Sequence, residues 1–331
     1  MDRAVCVQRL GDAELALQDL NAALALEPQL TDALRERARV HLKLGAAELA
    51  LADADAAVKS DPAGAVNWQA RAEIEARLGR HREAAADFGE ALKLEPQNLV
   101  ARHGRAASLT VLGDSEGALR DLDEVLRADP RYVAALLARG EALARAGRHE
   151  EALKDYSAYL AGSADDAYAH FRRGASLARL KRDDDAIADF SDAIRLDARL
   201  LSAYVERGRA FERLGRIERA VRDFSEAAEL APRYAPAHNE LAWLLATSRE
   251  DGVRDAKKAL EHARAAAELS GWANPGVLDT YAAALAAVGD YAEAAKWQEK
   301  ALDLPGFGDR AREEARGRLA LYRAGKPYRM P

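Results

Sequence analysis

Apolar positions recur along the chain at spacings of three and four residues, interrupted at short intervals by polar or glycine-containing turns, which is the periodicity of amphipathic helices. The stretch from Val205 to Phe224, VERGRAFERLGRIERAVRDF, reads as two such helices meeting at Leu214-Gly215-Arg216. Glycine there tolerates the positive φ that ends a helix. An arginine, Arg207, stands where the first helix is expected to bury a leucine.

The same pattern returns with a period of 34 residues. Arginine occupies Arg3, Arg37, Arg71, Arg105, Arg139, Arg173 and Arg207. Alanine occupies Ala16, Ala50, Ala84, Ala118, Ala152, Ala186 and Ala220. Glycine occupies Gly11, Gly45, Gly79, Gly113, Gly147 and Gly215, with Lys181 as the exception. Proline closes most units at Pro28, Pro62, Pro96, Pro130 and Pro232, with Ala164 and Ala198 in its place twice. Each unit therefore reads helix, turn, helix, turn, and the small alanine marks the line along which the two helices approach. A hairpin this short cannot bury its own apolar faces, so neighbours must stack on it.

The period, together with Tyr204, Gly208, Phe211, Gly215, Ala220, Phe224, Ala227 and Pro232 in one unit, resembles the tetratricopeptide repeat. The resemblance runs from Met1 to about Leu304. It comprises a truncated first unit, six full units at 31–64, 65–98, 99–132, 133–166, 167–200 and 201–234, and two divergent ones at 235–274 and 275–307. It implies an all-α, right-handed superhelical solenoid of about nine antiparallel helix hairpins, with first helices lining a concave face that holds partners. Three segments are expected: a regular array at 1–234, two terminal hairpins at 235–307, the first lengthened by six residues around Ser248 to Arg254, and a capping helix and tail at 308–331. Asp309 to Arg323 is the expected capping helix. Because the first unit starts part-way into its first helix, the solenoid is expected either to begin frayed or to continue a longer protein.

Helical phase places Arg207 on the face of Tyr204, Gly208 and Phe211, which packs on the second helix. A second row, Asp19, Asp53, Asp87, Asp121, Asp155, Asp189 and Asp223, falls on the inward face of the second helices. In the last two units the arginine becomes Leu241 and Tyr281 and the aspartate becomes His262 and Trp297, so the rows are lost together. We read the rows as intra-repeat ion pairs, Arg3 with Asp19 through Arg207 with Asp223. An arginine ladder for phosphate or carboxylate ligands is the competing reading.

Positions two residues either side of the arginine then face the groove, and these vary. One row runs Arg35, Gln69, His103, Leu137, Phe171, Val205 and Asn239; the other runs Arg39, Glu73, Ala107, Glu141, Ala175, Arg209 and Trp243. Leu137, Phe171 and Val205, with Tyr168, make an expected apolar patch for a peptide side chain, and Arg172, Arg209 and Arg213 stand beside it for acidic groups. A further basic row at Arg9, Lys43, Arg77, Arg145, Arg179 and Arg213 falls in the last turn of each first helix, where a cation suits the helix dipole. The groove lacks the repeated asparagine of the lysine–asparagine clamp by which some family members hold a peptide carboxylate. Trp243, Trp272 and Trp297 are read as packing residues of the terminal module.

Composition narrows the function classes. The chain has 331 residues, one cysteine, Cys6, and a formal net charge of −6, which gives no overall attraction to nucleic acid or anionic lipid. No apolar run has the length of a membrane span, and the charged amino terminus lacks a signal-peptide core. The seven histidines form no His-Glu-x-x-His pattern, and no phosphate-cradling Gly-Lys-Ser/Thr loop is present. The expectation is a cytoplasmic, non-catalytic scaffold without cofactor or metal, monomeric or weakly oligomeric, holding a protein or peptide. The alternative is the targeting arm of a larger bacterial enzyme, a kinase or glycosyltransferase. A bacterial source is expected because arginine far outnumbers lysine.

Overall fold

The computed structural model of the protein describes residues 13–330. Arg3 lies outside the described residues, and with it the expected pairing of Arg3 with Asp19. All regular structure among the described residues is helical, and these residues form two compact units, 13–162 and 163–330.

The described part of the first unit contains α1 (Ala13–Leu26), α2 (Thr31–Lys43), α3 (Ala47–Ser60), α4 (Ala65–Arg77), α5 (His81–Leu94), α6 (Leu99–Leu112), α7 (Ser115–Ala128), α8 (Val133–Arg145) and α9 (His149–Gly162). The second contains α10 (Ala167–Arg179), α11 (Asp183–Leu196), α12 (Leu201–Arg213), α13 (Ile217–Leu230), α14 (Ala235–Thr247), α15 (Ala256–Leu269), α16 (Pro275–Ala287), α17 (Tyr291–Asp303) and α18 (Asp309–Arg323). Consecutive helices pack as hairpins, and first helices of neighbouring hairpins also touch: α2 with α4, α4 with α6 and α6 with α8 in one unit, α10 with α12, α12 with α14 and α14 with α16 in the other. Each unit thus has a face built from first helices.

The alanine row explains how close the helices come. Ala16, Ala50, Ala84, Ala118, Ala152, Ala186 and Ala220 are all fully buried. Gly208 allows the same approach on the first helix, since a Cβ there would stand 2.5 Å from the Phe224 ring. Gly45, Gly79, Gly113, Gly147 and Gly215 all take positive φ at the intra-hairpin turn. Lys181 takes φ 62° at the equivalent place, a left-handed conformation that costs a side-chain-bearing residue about 1–2 kcal/mol.

The lengthened turn between α14 and α15 is folded back by Arg254, whose Nη1 donates to the carbonyls of Ser248 and Arg249 at 2.9 and 3.0 Å. Asp255 caps α15 by accepting from the Lys258 amide at 3.0 Å. At the end of the chain α18 packs on α17 and contacts α16. Arg318 of α18 donates to Asp279 of α16 at 2.9 Å, and Gln298 of α17 donates to the same carboxylate at 2.6 Å. Burial pushes the Asp279 carboxyl up, against the pull of Arg318.

Candidate functional site

The arginine row forms two-pronged clasps inside the hairpins. Nε and Nη2 of Arg37 reach the two carboxylate oxygens of Asp53 at 2.8 and 2.6 Å. The same forked geometry joins Arg71 to Asp87 at 2.5 and 2.9 Å and Arg105 to Asp121 at 2.7 and 2.6 Å. It also joins Arg139 to Asp155 at 2.7 and 2.8 Å, Arg173 to Asp189 at 2.8 and 2.7 Å, and Arg207 to Asp223 at 2.8 Å twice. Both oxygens of each carboxylate are engaged, so the guanidinium row faces inward and offers no ladder to an outside anion. The hydrogen bonds raise the pKa of Arg37, Arg71, Arg105, Arg139 and Arg173 against the opposing effect of burial.

The third guanidinium nitrogen has a task the sequence pattern did not show. Nη1 of Arg37 donates to Asn21, of Arg71 to Asp55, of Arg139 to Asp123 and of Arg207 to Ser191, at 2.8, 2.9, 2.7 and 3.0 Å. Each acceptor lies 16 residues earlier, on the second helix of the preceding hairpin, so one arginine ties two repeats together. At Arg105 the corresponding residue is Gly89, which has no side-chain acceptor.

The turns between hairpins carry a second unforeseen bond. Trp68, Arg102, His170 and His238 occupy the same place early in their first helices. Their side-chain nitrogens lie 2.9, 2.7, 3.0 and 3.1 Å from the carbonyls of Pro62, Pro96, Ala164 and Pro232. Each carbonyl is six residues back, in the turn leaving the preceding hairpin. His170, Asp189 and Asp192 bring their donor atoms within 4.8 Å of one another, as a metal site would. Arg173 holds both Asp189 oxygens, however, and Ala164 takes His170 Nε2, which makes the cluster part of the internal network.

In the terminal hairpins neither clasp position holds an arginine or an aspartate. Tyr281 and Trp297 meet edge to face at 5.4 Å, with Trp272 at 4.8 Å from Trp297. Leu241 and His262 line a cavity of about 360 Å³ with Ser225, Glu229, His238 and Lys258, and His262 Nδ1 lies 2.9 Å from His238 Nδ1. Burial lowers the His262 pKa, helped by His238.

The two variable rows lie on the first helices, but their side chains are not equally available. In the first unit Arg35 donates to Asn67 on the next first helix at 2.8 Å and also pairs with Asp32. Gln69 donates to Glu73 at 2.8 Å and accepts from Asn98 at 3.0 Å. His103 stacks obliquely on Tyr132 with centroids 5.5 Å apart, and burial lowers its pKa. Arg39 pairs with Glu36 and is exposed, Glu73 is exposed, and Leu137 and Glu141 are half-buried.

In the second unit Tyr168 is 47% exposed with the Arg172 guanidinium 5.8 Å from its ring centroid, and Phe171 is half-buried against Phe190 at 5.9 Å. Val205 corrects the expected apolar patch. It is only 3% exposed and belongs to the core that includes Leu241, so it has no surface for a partner. Helical phase gives a direction but not its cover: α14 of the next hairpin packs beside α12, and Val205 lies in the core that includes Leu241 of α14. Arg209 and Arg213 are corrected as free hooks for acidic groups: Arg209 pairs with Glu206 and Glu240 at 2.6 and 2.7 Å, and Arg213 pairs with Asp183 at 2.6 Å. Asn239 is half-buried with its amide oxygen enclosed and unpaired. Glu212, beside these groups, is pushed up to about 7 by burial and by Glu240.

Trp243 stands against the chain's own tail. Its ring is 5.8 Å from that of Tyr328, and the Arg318 guanidinium lies 5.3 and 5.4 Å from the two ring centres. Trp243, Tyr328 and Met330 border a cavity of about 570 Å³ together with Glu212, Arg213 and Arg249.

Comparison with known families matches tetratricopeptide repeat models to residues 7–65 and 103–167, and to 65–98 and 201–234, together more than half of the chain. The chain belongs to the tetratricopeptide repeat family. Comparison with curated proteins yields no match. Among solved structures, a tetratricopeptide repeat protein from Parabacteroides merdae superposes with a TM-score of 0.59 at 20% identity, over 72% of this chain and 95% of that one. A chain of the APC/C Cut9–Hcn1 hetero-tetramer superposes with a TM-score of 0.62 at 17% identity, over 86% of this chain and 55% of that one. At these identities the likeness concerns the fold. Tetratricopeptide repeats are a protein-interaction architecture, and among the described residues no helix is long and apolar enough to cross a membrane.

Proposed function

We propose that the chain is a non-catalytic scaffold that holds an extended peptide or protein segment on the first-helix face of each of its units. The observation that carries this reading is the contrast between constant and variable positions. Six described clasps repeat with one geometry, while the outward positions beside them change chemistry from hairpin to hairpin. A frame that repeats and a face that varies is the division by which repeat proteins distinguish partners.

In the second unit Tyr168, Phe171 and Arg172 provide an aromatic and basic contact surface. In the first, Arg39, Glu73 and Glu141 provide a charged one. We place the regular array at 1–234, the divergent hairpins at 235–307 and the cap at 308–331, and expect a monomer or weak oligomer working in a bacterial cytoplasm.

The test is selection of binding peptides from a displayed random library on the native chain, followed by titration against Phe171→Glu and Tyr168→Glu. Because Phe171 touches Phe190, thermal melting accompanies each titration, and the more exposed Tyr168 supplies the second probe. At least tenfold weaker binding by folded variants is expected. Unchanged affinity in both variants removes this surface from the binding site.

A further inference from the structure

We propose that the first-helix face at α14 is a site for an extended peptide with an aromatic residue followed two positions later by an apolar one, and that Tyr328, Arg329 and Met330 occupy it in cis.

The site begins with a helix end that lacks an ordinary cap. Most regular first helices turn at a glycine with positive φ, which lets the chain satisfy the last carbonyls locally. In α14 the corresponding position is Arg249, beyond Ser248, and the lengthened turn returns the Asp255 amide to the Leu245 carbonyl at 3.1 Å. The carbonyls of Ala246 and Thr247 are met by the tail instead. The Met330 amide donates to Thr247 at 2.9 Å, and Arg329 Nη1 donates to Ala246 at 3.0 Å. Arg249 Nε in turn donates to the Met330 carbonyl at 2.5 Å. Met330 is thus held through both backbone groups, an arrangement that any extended peptide can reproduce.

Selectivity comes from the aromatic position. Tyr328 packs on Trp243, and Arg318 reaches over both rings from α18. The buried Arg318 is fixed by its ion pair with Asp279, so this wall exists whether or not a ligand is present. Apolar matter enters two residues later, where Met330 packs against the core of the second unit. The adjoining cavity of about 570 Å³, bordered by Glu212, Arg213 and Glu250, leaves room for a ligand to continue along the face.

The tail is held over a short reach. It leaves α18 through Gly325, at φ 66°, and only residues 327–330 are half-buried. Such a segment can open without disturbing the helices. Attached through so short a linker, it competes at an effective concentration on the order of millimolar, so a peptide in trans binds the native chain weakly.

The inference specifies one ligand for the face assigned above, and the two readings fail separately, since one is tested at Phe171 and Tyr168 and the other at Trp243. The experiment titrates a labelled peptide, Gly-Lys-Pro-Tyr-Arg-Met-Pro, into the full chain and into full-length Tyr328→Ala/Arg329→Ser. The variant is expected to bind at least tenfold more tightly than the native chain, to lose binding when Trp243→Ala is added, and to ignore a peptide with alanine in place of tyrosine. Equal affinity for both chains, or no binding by a variant with native-like melting, overturns the proposal. If the variant does not fold, amide exchange at Met330 of the native chain decides: excess peptide should accelerate it and the alanine peptide should not. No acceleration overturns the proposal. Dimerisation of the native chain with no response to peptide also overturns it, in favour of tail exchange between copies.

Discussion

Arg207 binds both carboxylate oxygens of Asp223 and turns its remaining terminal nitrogen to Ser191 on the preceding hairpin. Their side chains are 19% and 9% exposed, so removing one partner leaves the other charge largely shielded from water. Asp223→Ala should therefore cost roughly 3–5 kcal/mol. In a double-mutant cycle with Arg207→Ala, a coupling of about 1–3 kcal/mol is expected. Additive losses in denaturant-measured stability would show that the pair does not interact.

Gly89 is the weak joint of the same series. A Cβ at that position would lie 3.9 Å from Arg105 Nη1 with nothing nearer, so a side chain fits. Gly89→Asp should give Arg105 the acceptor that Arg71 and Arg139 find in Asp55 and Asp123, while removing a helix-interior glycine. The added hydrogen bond is worth about 0.5–1.5 kcal/mol, and exchange of glycine for aspartate inside the helix about 0.3 kcal/mol more. Urea unfolding should shift to higher midpoint, and a lower midpoint would contradict the proposed geometry.

Lys181 adopts the backbone conformation that glycine takes at the equivalent turns. Lys181→Gly should stabilise the second unit by roughly 1 kcal/mol, because relief of the left-handed strain exceeds the added flexibility of the unfolded chain. Lys181→Ala, which retains the strain, should not. Thermal melts of the two variants separate backbone relief from loss of the lysine charge.

Glu75 is a carboxylate in a leucine's place. It stands where Leu109, Leu143 and Phe211 stand in their hairpins, is 8% exposed, and has its pKa raised from 4.5 to about 7, first by burial and then by Asp87. The folded state thus binds its proton more tightly than the unfolded one. The favourable contribution is complete below the ordinary carboxylate range and is lost as pH rises through about 7. Glu75→Leu should raise the melting temperature at pH ~8 by the equivalent of about 1 kcal/mol or more, with a smaller gain at pH ~4. A pH-independent gain would place the effect in packing alone.

The clasps were legible in the sequence because each row keeps one residue type at one period, and because Arg and Asp disappear together at Leu241 with His262 and at Tyr281 with Trp297. What varies in chemistry at a fixed place was not. Trp68, Arg102, His170 and His238 look unrelated until a common carbonyl acceptor joins them, and Asn21, Asp55, Asp123 and Ser191 look like surface variation until the guanidinium reaches them. Val205 failed for a different reason. Periodicity gives the direction of a side chain, whereas its burial depends on the packing of α12 beside α14. The tail at Tyr328 to Met330 has no period at all, so its meeting with Trp243 left no trace in the pattern.

The backward reach of the arginines gives the array a direction in time. Asn21, Asp55, Asp123 and Ser191 are each gripped by an arginine encoded 16 residues later. A ribosome therefore delivers each of these acceptors before the group that secures it, and at these four joints the new hairpin locks the one already made, as a course of roof tiles overlaps the last. The series stops at Ser225, where Leu241 replaces the next arginine and a cavity remains. From there onward the hairpins are held by aromatic contacts and by the segment from Tyr328 to Met330 that returns to α14.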